Sequence, residues 1–284
     1  GRRLLLVLDD ARDSEQVRPL LPTTPGCLTI VTSRRRLEGL AVTDDARIVT
    51  LDPMTRRESL ELLERRLGAD RLRGERAAAE EIVEVCGGLP LTLAVAGTRA
   101  LLQPAFSLAS LAARLQDGRG SLAALSTRDV RTDVRSAFTA SYQALSPSAA
   151  SLFRLLSLHP ARDITAPAAA SLAGTGVRDT HSDIAELTDH HLLAELVPGR
   201  YTCHGLLRSF AAELSSRCDP AGVRSAARAR MVEHYLHSAD AATALLAPHR
   251  RALILPAPRP GVRPAQFHDR AQAAEWIIAE RHVL

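Results

Sequence analysis

Two kinds of hydrophobic period divide this chain. Short apolar runs bounded by turn residues come first: residues 4–8, which end on Asp9 and Asp10, then 27–32, then 47–51. A continuous apolar run of that length, rich in Leu, Ile and Val, is the mark of a strand in a buried parallel sheet. Residues 14–21 read as a short helix or turn closed by Pro22. From Thr55 the period lengthens to that of a helix. Leu60, Leu63 and Leu67 share one face, and Thr55 and Glu58 stand in capping-box spacing. A second helix over 75–85 stops at Cys86-Gly87-Gly88, and Leu89-Pro90-Leu91 opens a third that runs to about residue 102. Two glycines and a proline between helices predict a fixed corner.

Helical spacing returns over 130–145 with Val134, Phe138, Tyr142 and Leu145, and Ser146-Pro147 caps a helix through residue 158. Shorter helices are predicted near 166–172 and 182–190. Residues 192–197 and 201–203 flank Pro198-Gly199-Arg200 as a β-hairpin, and Leu206, Leu207, Phe210 and Leu214 resume the helical period. Helices, a hairpin and one more helix predict a winged-helix variant, a fold of DNA readers that also serves as a packing module. A helix over 221–246 is followed by a proline-rich span, 248–264, read as a linker, and by a helix anchored on Trp276, Ile277 and Ile278. The expected fold class is therefore an α/β fragment followed by mostly α structure. The expected divisions are a sheet fragment over 1–52, a helical domain over 53–126, a winged-helix domain over 127–218, and a helical linker leading into a repeat region over 219–284. The chain reads as a piece lifted from a longer protein.

Composition narrows the function classes. Of the 284 residues, 46% are hydrophobic and only 3% aromatic, so Leu, Ala and Val must build the core. All 36 basic residues are arginine and asparagine is absent, a pattern of codon bias. The net charge of +4 is spread among 32 acids, with few rings for stacking, which argues against general nucleic-acid affinity. Cys27, Cys86, Cys203 and Cys218 form no Cys-x-x-Cys pair, and no signal peptide or membrane span is present. A cytoplasmic location is expected. His190-His191 with Cys203-His204 lacks the spacing of a zinc finger or zincin, and no Gly-x-Ser-x-Gly elbow anchors a hydrolase triad.

The chemistry lies at the strand ends. An apolar strand delivering Asp9 and Asp10 is how many phosphate-handling ATPases place a magnesium ligand, and the second run delivers Arg34 beside it, suited to sensing a γ-phosphate. A solvated basic turn is the plain alternative for Arg34. A phosphate-binding loop would need a lysine, and the chain has none.

In order, Leu-Val-Leu-Asp-Asp, Val-Thr-Ser-Arg, Cys-Gly-Gly-Leu-Pro-Leu, Ser-Tyr-x-x-Leu-Ser-Pro and Tyr-x-x-His-x-Leu-x-x-x-Phe-Ala resemble the NB-ARC regulators, which are STAND-class ATPases. Leu20-Leu21-Pro22, Ser33-Arg34-Arg35-Arg36-Leu37 and Leu152-Phe153-Arg154-Leu155-Leu156 are most similar to the actinobacterial antibiotic regulatory protein (SARP) branch. The resemblance covers about residues 4–213. It implies part of a P-loop NTPase sheet, a helical domain and a winged-helix domain that close around ADP and open with ATP, in a cytoplasmic regulator of transcription with at most slow ATPase turnover. It further implies ADP or ATP and Mg2+ as cofactors in the full-length parent, with Asp9 and Asp10 on the metal and Asp10 also orienting the attacking water. Arg34 would be the sensor, Gly88, Leu89 and Pro90 the adenine wall, and His204 a contact to the β-phosphate. The implied partners are an upstream DNA-binding domain, downstream helical repeats, DNA through the parent and a homo-oligomer on activation, with no membrane. Gly205 stands where the family motif carries an acid. Three missing charge-assisted bonds, at roughly 1.5–3 kcal/mol each, remove about 5–9 kcal/mol from a site that at micromolar affinity holds only about 8 kcal/mol. The chain alone should hardly bind nucleotide. Two other readings stand beside the switch: a nucleotide-independent interaction scaffold, and DNA binding by the winged helix through Arg200 and Arg208.

Overall fold

The computed structural model describes residues 3–24, 26–116, 125, 133–250 and 253–284. Strands β1 (Leu5–Leu8) and β2 (Leu28–Val31) pair in parallel, Leu5 opposite Leu28 and Leu8 opposite Val31. Helix α1 (Ser14–Val17) is capped by the Asp13 carboxylate, which accepts from the Gln16 amide, and a 3-10 turn over Arg18–Leu20 follows. With α2 (Glu38–Thr43) these elements enclose a small core of Ala11, Val17 and Leu40. Side chains alternate across a strand, so one face of the pair covers that core while Leu5, Val7, Leu28 and Ile30 are exposed on the other.

Residues 47–51, expected as a third strand, form none; Leu51 is 91% exposed. Strand propensity expresses a fit to a half-buried pleated surface, and this run has no paired neighbour to supply one.

The helical region begins at α3 (Arg56–Leu67). Its capping box is complete: Glu58 accepts from the Thr55 amide and the Thr55 hydroxyl accepts from the Glu58 amide. Gly68 turns the chain into α4 (Ala69–Gly74), a short helix with no separate signature in the residue pattern. Then come α5 (Arg76–Cys86), α6 (Pro90–Leu102) and α7 (Leu108–Gln116), the last also unforeseen. Leu60, Leu63, Leu72, Ile82, Leu93 and Leu108 close their shared core.

After α8 (Val134–Gln143), Ser146 caps α9 (Pro147–Leu156) and also donates its amide and hydroxyl to Glu186. The N-terminal part of the expected helix over 130–145 lies outside the described residues. Next are β3 (Asp163–Thr165), α10 (Ala166–Ala173), α11 (Val177–Asp189), β4 (Ala194–Val197), β5 (Arg200–Thr202) and α12 (Gly205–Cys218). The three strands form an antiparallel sheet in the order β3-β5-β4. Phe138, Tyr142, Phe153 and Phe210 pack together between helices α8, α9 and α12, Tyr142 edge-on to Phe210 at 6.2 Å between ring centroids.

Helix α13 (Ala221–Leu246) leads to a proline-rich passage and then to α14 (Arg270–Glu280). The passage was expected to be a linker, yet it is tied down. Val262 is buried, the Arg263 amide donates to the Ser171 hydroxyl at 2.7 Å, the Ala265 amide donates to the Ser238 hydroxyl at 2.8 Å, and Gly261 lies backbone to backbone on Gly174. Prolines keep the strap extended, while the amides between them find partners on α10 and α13. One hydrophobic cluster runs from Leu60 to Tyr235, with Trp276 and Val283 packed against it; the β1/β2 core is separate. No helix among the described residues is long and apolar enough to cross a membrane.

Candidate functional site

The first group of predicted residues converges where β1 and β2 end. The Thr32 amide donates to the Leu8 carbonyl and the Ala11 amide to the Thr32 carbonyl, both at 2.9 Å, so the two chain exits are locked side by side. The Thr32 hydroxyl donates to the Asp9 carboxylate and accepts from the Asp10 amide. Asp10 has φ of +55°, a left-handed conformation that aspartate tolerates better than most residues. Its carboxylate takes the Arg34 Nε–H at 3.3 Å. Both partners are open to solvent, with side-chain exposures of 71% and 47% for Asp10 and Arg34. Asp9, Asp10 and Arg34 are thus brought together as expected, on an exposed strand pair rather than the buried one anticipated.

Thr32 and Ser33 were not singled out. Thr32 positions both acids, and Ser33 donates to the Ala11 carbonyl at 2.7 Å. The available signal was a pair of hydroxyl residues closing an apolar run, which acquires meaning only once the two strands are known to run in parallel register.

The second group is the glycine-proline corner. Gly87 ends α5 with φ of +57°, and Gly88 follows with φ of +70°. The Gly88 carbonyl accepts from the Met54 amide at 2.8 Å, and Gly88 lies so close to the Met54 backbone that any side chain there would strike the Met54 carbonyl. The Thr92 hydroxyl, within reach of the carbonyls of Cys86 and Leu89 at 2.9 and 2.8 Å, braces the start of α6. Leu89 is half-buried and Pro90 is exposed on that corner.

His204, capping α12, joins this group across the fold. Its Nδ1 accepts from the Leu206 amide at 3.2 Å, which places the proton of the neutral ring on Nε2. Nε2 sits where a side chain at Gly87 would be. Burial lowers the His204 pKa, so the ring is uncharged near neutrality. Burial also pushes the Cys86 and Cys203 thiols up to about 12, leaving both unreactive.

Asp9, Asp10 and Arg34 rest on the small β1/β2 core, while the corner and His204 rest on the large one. Burial, and after it the charge of Arg35, lowers the pKa of His190 at the end of α11. Among the described residues no group of three or more His, Cys, Asp or Glu is placed to hold a metal ion.

The two arginines weighed for DNA contact are engaged internally. Arg200 donates to Asp163 and to Glu280, both at 2.6 Å. Arg208 donates to the carbonyls of His159 and Ala161. Their guanidinium groups serve the sheet and the turn before it.

No protein-family model matches the chain. It is 38% identical over 283 residues to Regulatory protein AfsR of Streptomyces griseus, which covers 99% of this chain and 28% of that protein. It is 37% identical over 286 residues to Regulatory protein AfsR of Streptomyces coelicolor, with the same 99% and 28% coverage. The chain therefore spans a little over a quarter of the length of these relatives.

Proposed function

We propose that this chain is the nucleotide-responsive switch of a longer, cytoplasmic transcriptional regulator of NB-ARC type. The observation that carries the reading is the gathering of Asp9, Asp10 and Arg34 at the carboxyl ends of two parallel strands, the place where ligands collect in open α/β sheets. Both relatives bear the name of a regulatory protein, which supports the regulatory part.

The donors fit magnesium nucleotide at both poles. Mg2+ takes one or two carboxylates and fills its octahedron with water and phosphate oxygens, so two acids without a third ligand suffice. Bound nucleotide and metal would supply the concentrated charge to which the switch responds. Asp9, oriented by the Thr32 hydroxyl, and Asp10 would hold the metal, and Asp10 would also orient a water. Arg34, whose pair with Asp10 is solvent-exposed, would be able to donate to the terminal phosphate, a charge-assisted bond. At the other pole the exposed Pro90 ring offers an apolar surface to adenine, with Gly88 and Leu89 as the backbone wall, and His204 offers its single Nε2–H to a phosphate oxygen. A switch of this kind needs its poles on separate cores, so that closure can be driven by ligand.

The helix-strand-helix-helix-hairpin order, with sheet order β3-β5-β4, is assigned to a winged helix acting as a packing module. DNA contact, helical repeats and assembly on activation are assigned to other parts of the longer protein. The phosphate loop is assigned there as well, since this sequence has no lysine to supply it.

Titration of the longer protein with a fluorescent ADP analogue and Mg2+ tests the reading. Saturable micromolar binding is expected, weakened about tenfold or more by Asp9→Asn or by His204→Ala. No saturable binding would overturn it and leave the interaction scaffold, which the exposed face of Leu5, Val7, Leu28 and Ile30 favours as the second reading.

A further inference from the structure

The strap lies on α10 and α13, and what those helices turn toward it is suited to holding a main chain. Ser171 of α10 and His234 and Ser238 of α13 are fully buried, the last two one helical turn apart. The backbone of Arg263 is met at both its polar groups: its amide donates to the Ser171 hydroxyl and its carbonyl accepts from His234 Nδ1, each at 2.7 Å. At the next alternate position the Ala265 amide donates to the Ser238 hydroxyl at 2.8 Å. Upstream, the Arg259 amide and guanidinium both donate to Glu233 at 2.8 Å. His234 Nε2 is buried with no hydrogen-bond partner among the described residues, so the ring pairs only through the nitrogen turned to Ser171 and the strap.

Side chains of the strap add little to this. Over residues 259–265 only Val262 is buried, and Arg259, Pro260 and Arg263 are exposed. The strap enters through a turn in which the Val262 amide donates to the Arg259 carbonyl at 3.1 Å, with Pro260 and Gly261 at the central positions such a turn favours. Gly261 has φ of +89°, and a side chain there would come within 2.9 Å of the Gly174 Cα. Pro264 keeps Arg263 extended and stands at a nitrogen that neither helix pairs with. Main-chain bonds at alternate residues beside one apolar pocket are the means by which extended peptides are recognised between chains. A segment with so little buried apolar surface also opens more readily than the helices beneath it.

We propose that the groove between α10 and α13 is a recognition site for a peptide made of a Pro-Gly turn and an extended, proline-containing tail, and that residues 259–265 are its ligand in cis. The glycine over Gly174 and the aliphatic side chain after it select the peptide. The first and third residues beyond that side chain must carry an N–H, so neither can be proline. A competing peptide of this chemistry displaces the strap and loosens the tether to α14, which follows it directly. The assignment does not depend on the nucleotide reading.

Two measurements on the whole chain test it. In hydrogen exchange of the unaltered chain, the amides of Arg259, Arg263 and Ala265 are expected to be protected, yet to exchange about tenfold or more faster than the central amides of α10 and α13. Exchange at the rate of those helices would make the strap part of the core, and absence of protection would make it a linker; either result overturns the proposal. In the second measurement Gly261→Val ejects the strap through its contact with Gly174, and a fluorescein-labelled peptide of residues 258–266 is added. Saturable binding is expected, about tenfold or more tighter than to the unaltered chain, whose groove is filled, and tighter by a similar factor than that of the same peptide carrying Gly261→Val. Adding Ser238→Ala to the G261V chain should weaken binding about fivefold to tenfold. No binding by a G261V chain that keeps its helical circular dichroism, binding indifferent to the peptide glycine, or binding untouched by Ser238→Ala sinks the assignment. If G261V does not fold, the exchange rates of the unaltered chain decide alone.

Discussion

At the scale of single residues the sharpest constraint is the Gly87–His204 contact. A left-handed backbone costs a non-glycine residue of order 1–3 kcal/mol, and at Gly87 a methyl would also land on the His204 ring. Gly87→Ala is therefore expected to destabilise the chain by about 2 kcal/mol or more in urea unfolding. Part of that loss should return when His204→Ala removes the ring, a coupling of about 0.5–3 kcal/mol in the double-mutant cycle. Additive losses would show that the imidazole does not fill this space. Gly205 is the opposite case. A side chain there meets nothing, and the residue opens α12, where an acid faces the helix N-terminus. Gly205→Asp should raise stability by about 0.3–1 kcal/mol at low salt, read from the same unfolding curves. The sequence announced Asp9, Asp10, Arg34, the glycine corner and His204 because each stands in a motif. It did not announce that His204 closes on Gly87, since 116 intervening positions separate them and only the folded chain sets that distance. Thr32 escaped for a related reason: its hydroxyl gains a role from strand register.

Among elements, the hairpin, strap and C-terminal helix act on one another. Arg200 on β5 is clamped between Asp163 of β3 and Glu280 of α14, whose side chain is only 2% exposed. Trp276, the only tryptophan, stacks on Tyr235 of α13 at 6.3 Å and so reports whether α14 is docked. Glu280→Ala leaves Arg200 paired with Asp163 and should cost about 1–3 kcal/mol, with a red shift of Trp276 emission as α14 loosens. Arg200→Ala strands two acids, one of them buried, and should cost more, about 3–5 kcal/mol. If the two variants prove equal, Arg200 is not the shared partner. Element identity was legible wherever local chemistry decided it: α3 from its capping box, and α13 from its long uninterrupted run of helix formers. It was not legible where tertiary contact decided. Residues 47–51 have strand-forming side chains but no strand beside them, and the strap reads as a linker until Ser171 and Ser238 are seen to hold its amides. Helix α7 follows a Pro-containing turn whose order comes from Arg71 and Glu75, distant in sequence.

For the whole molecule, acid sensitivity follows from two histidines that knit these elements together. His159, after α9, accepts the Tyr235 hydroxyl at Nε2 and directs Nδ1 at the Ala161 carbonyl; His234, on α13, donates Nδ1–H to the Arg263 carbonyl of the strap at 2.7 Å. Burial, foremost, brings both pKa values down to about 4, and for His159 the Arg208 charge pushes the same way. In the unfolded chain an imidazole titrates near its ordinary value of about 6.5. Between those values the unfolded state carries more protons than the folded state, so stability is full above pH 6.5 and falls as pH drops toward 4. Each histidine contributes a slope of up to about 1.4 kcal/mol per pH unit, and the pair should remove about 3 kcal/mol between pH 6.5 and 5. Asp163, held down first by its hydrogen bond from Arg200, adds a loss only below the ordinary carboxylate range, so the two windows separate. Urea unfolding at pH 7.5, 6.5 and 5 in the unaltered chain, in His159→Gln and in His234→Gln measures this directly. Each substitution should lower stability at pH 7.5 and remove a large part of the slope below pH 6.5, with the other histidine, and His190 and His204, whose pKa values burial also lowers, supplying the remainder. A slope untouched by either substitution would place the acid sensitivity in other groups, and with it the joint between the strap, α13 and the sheet.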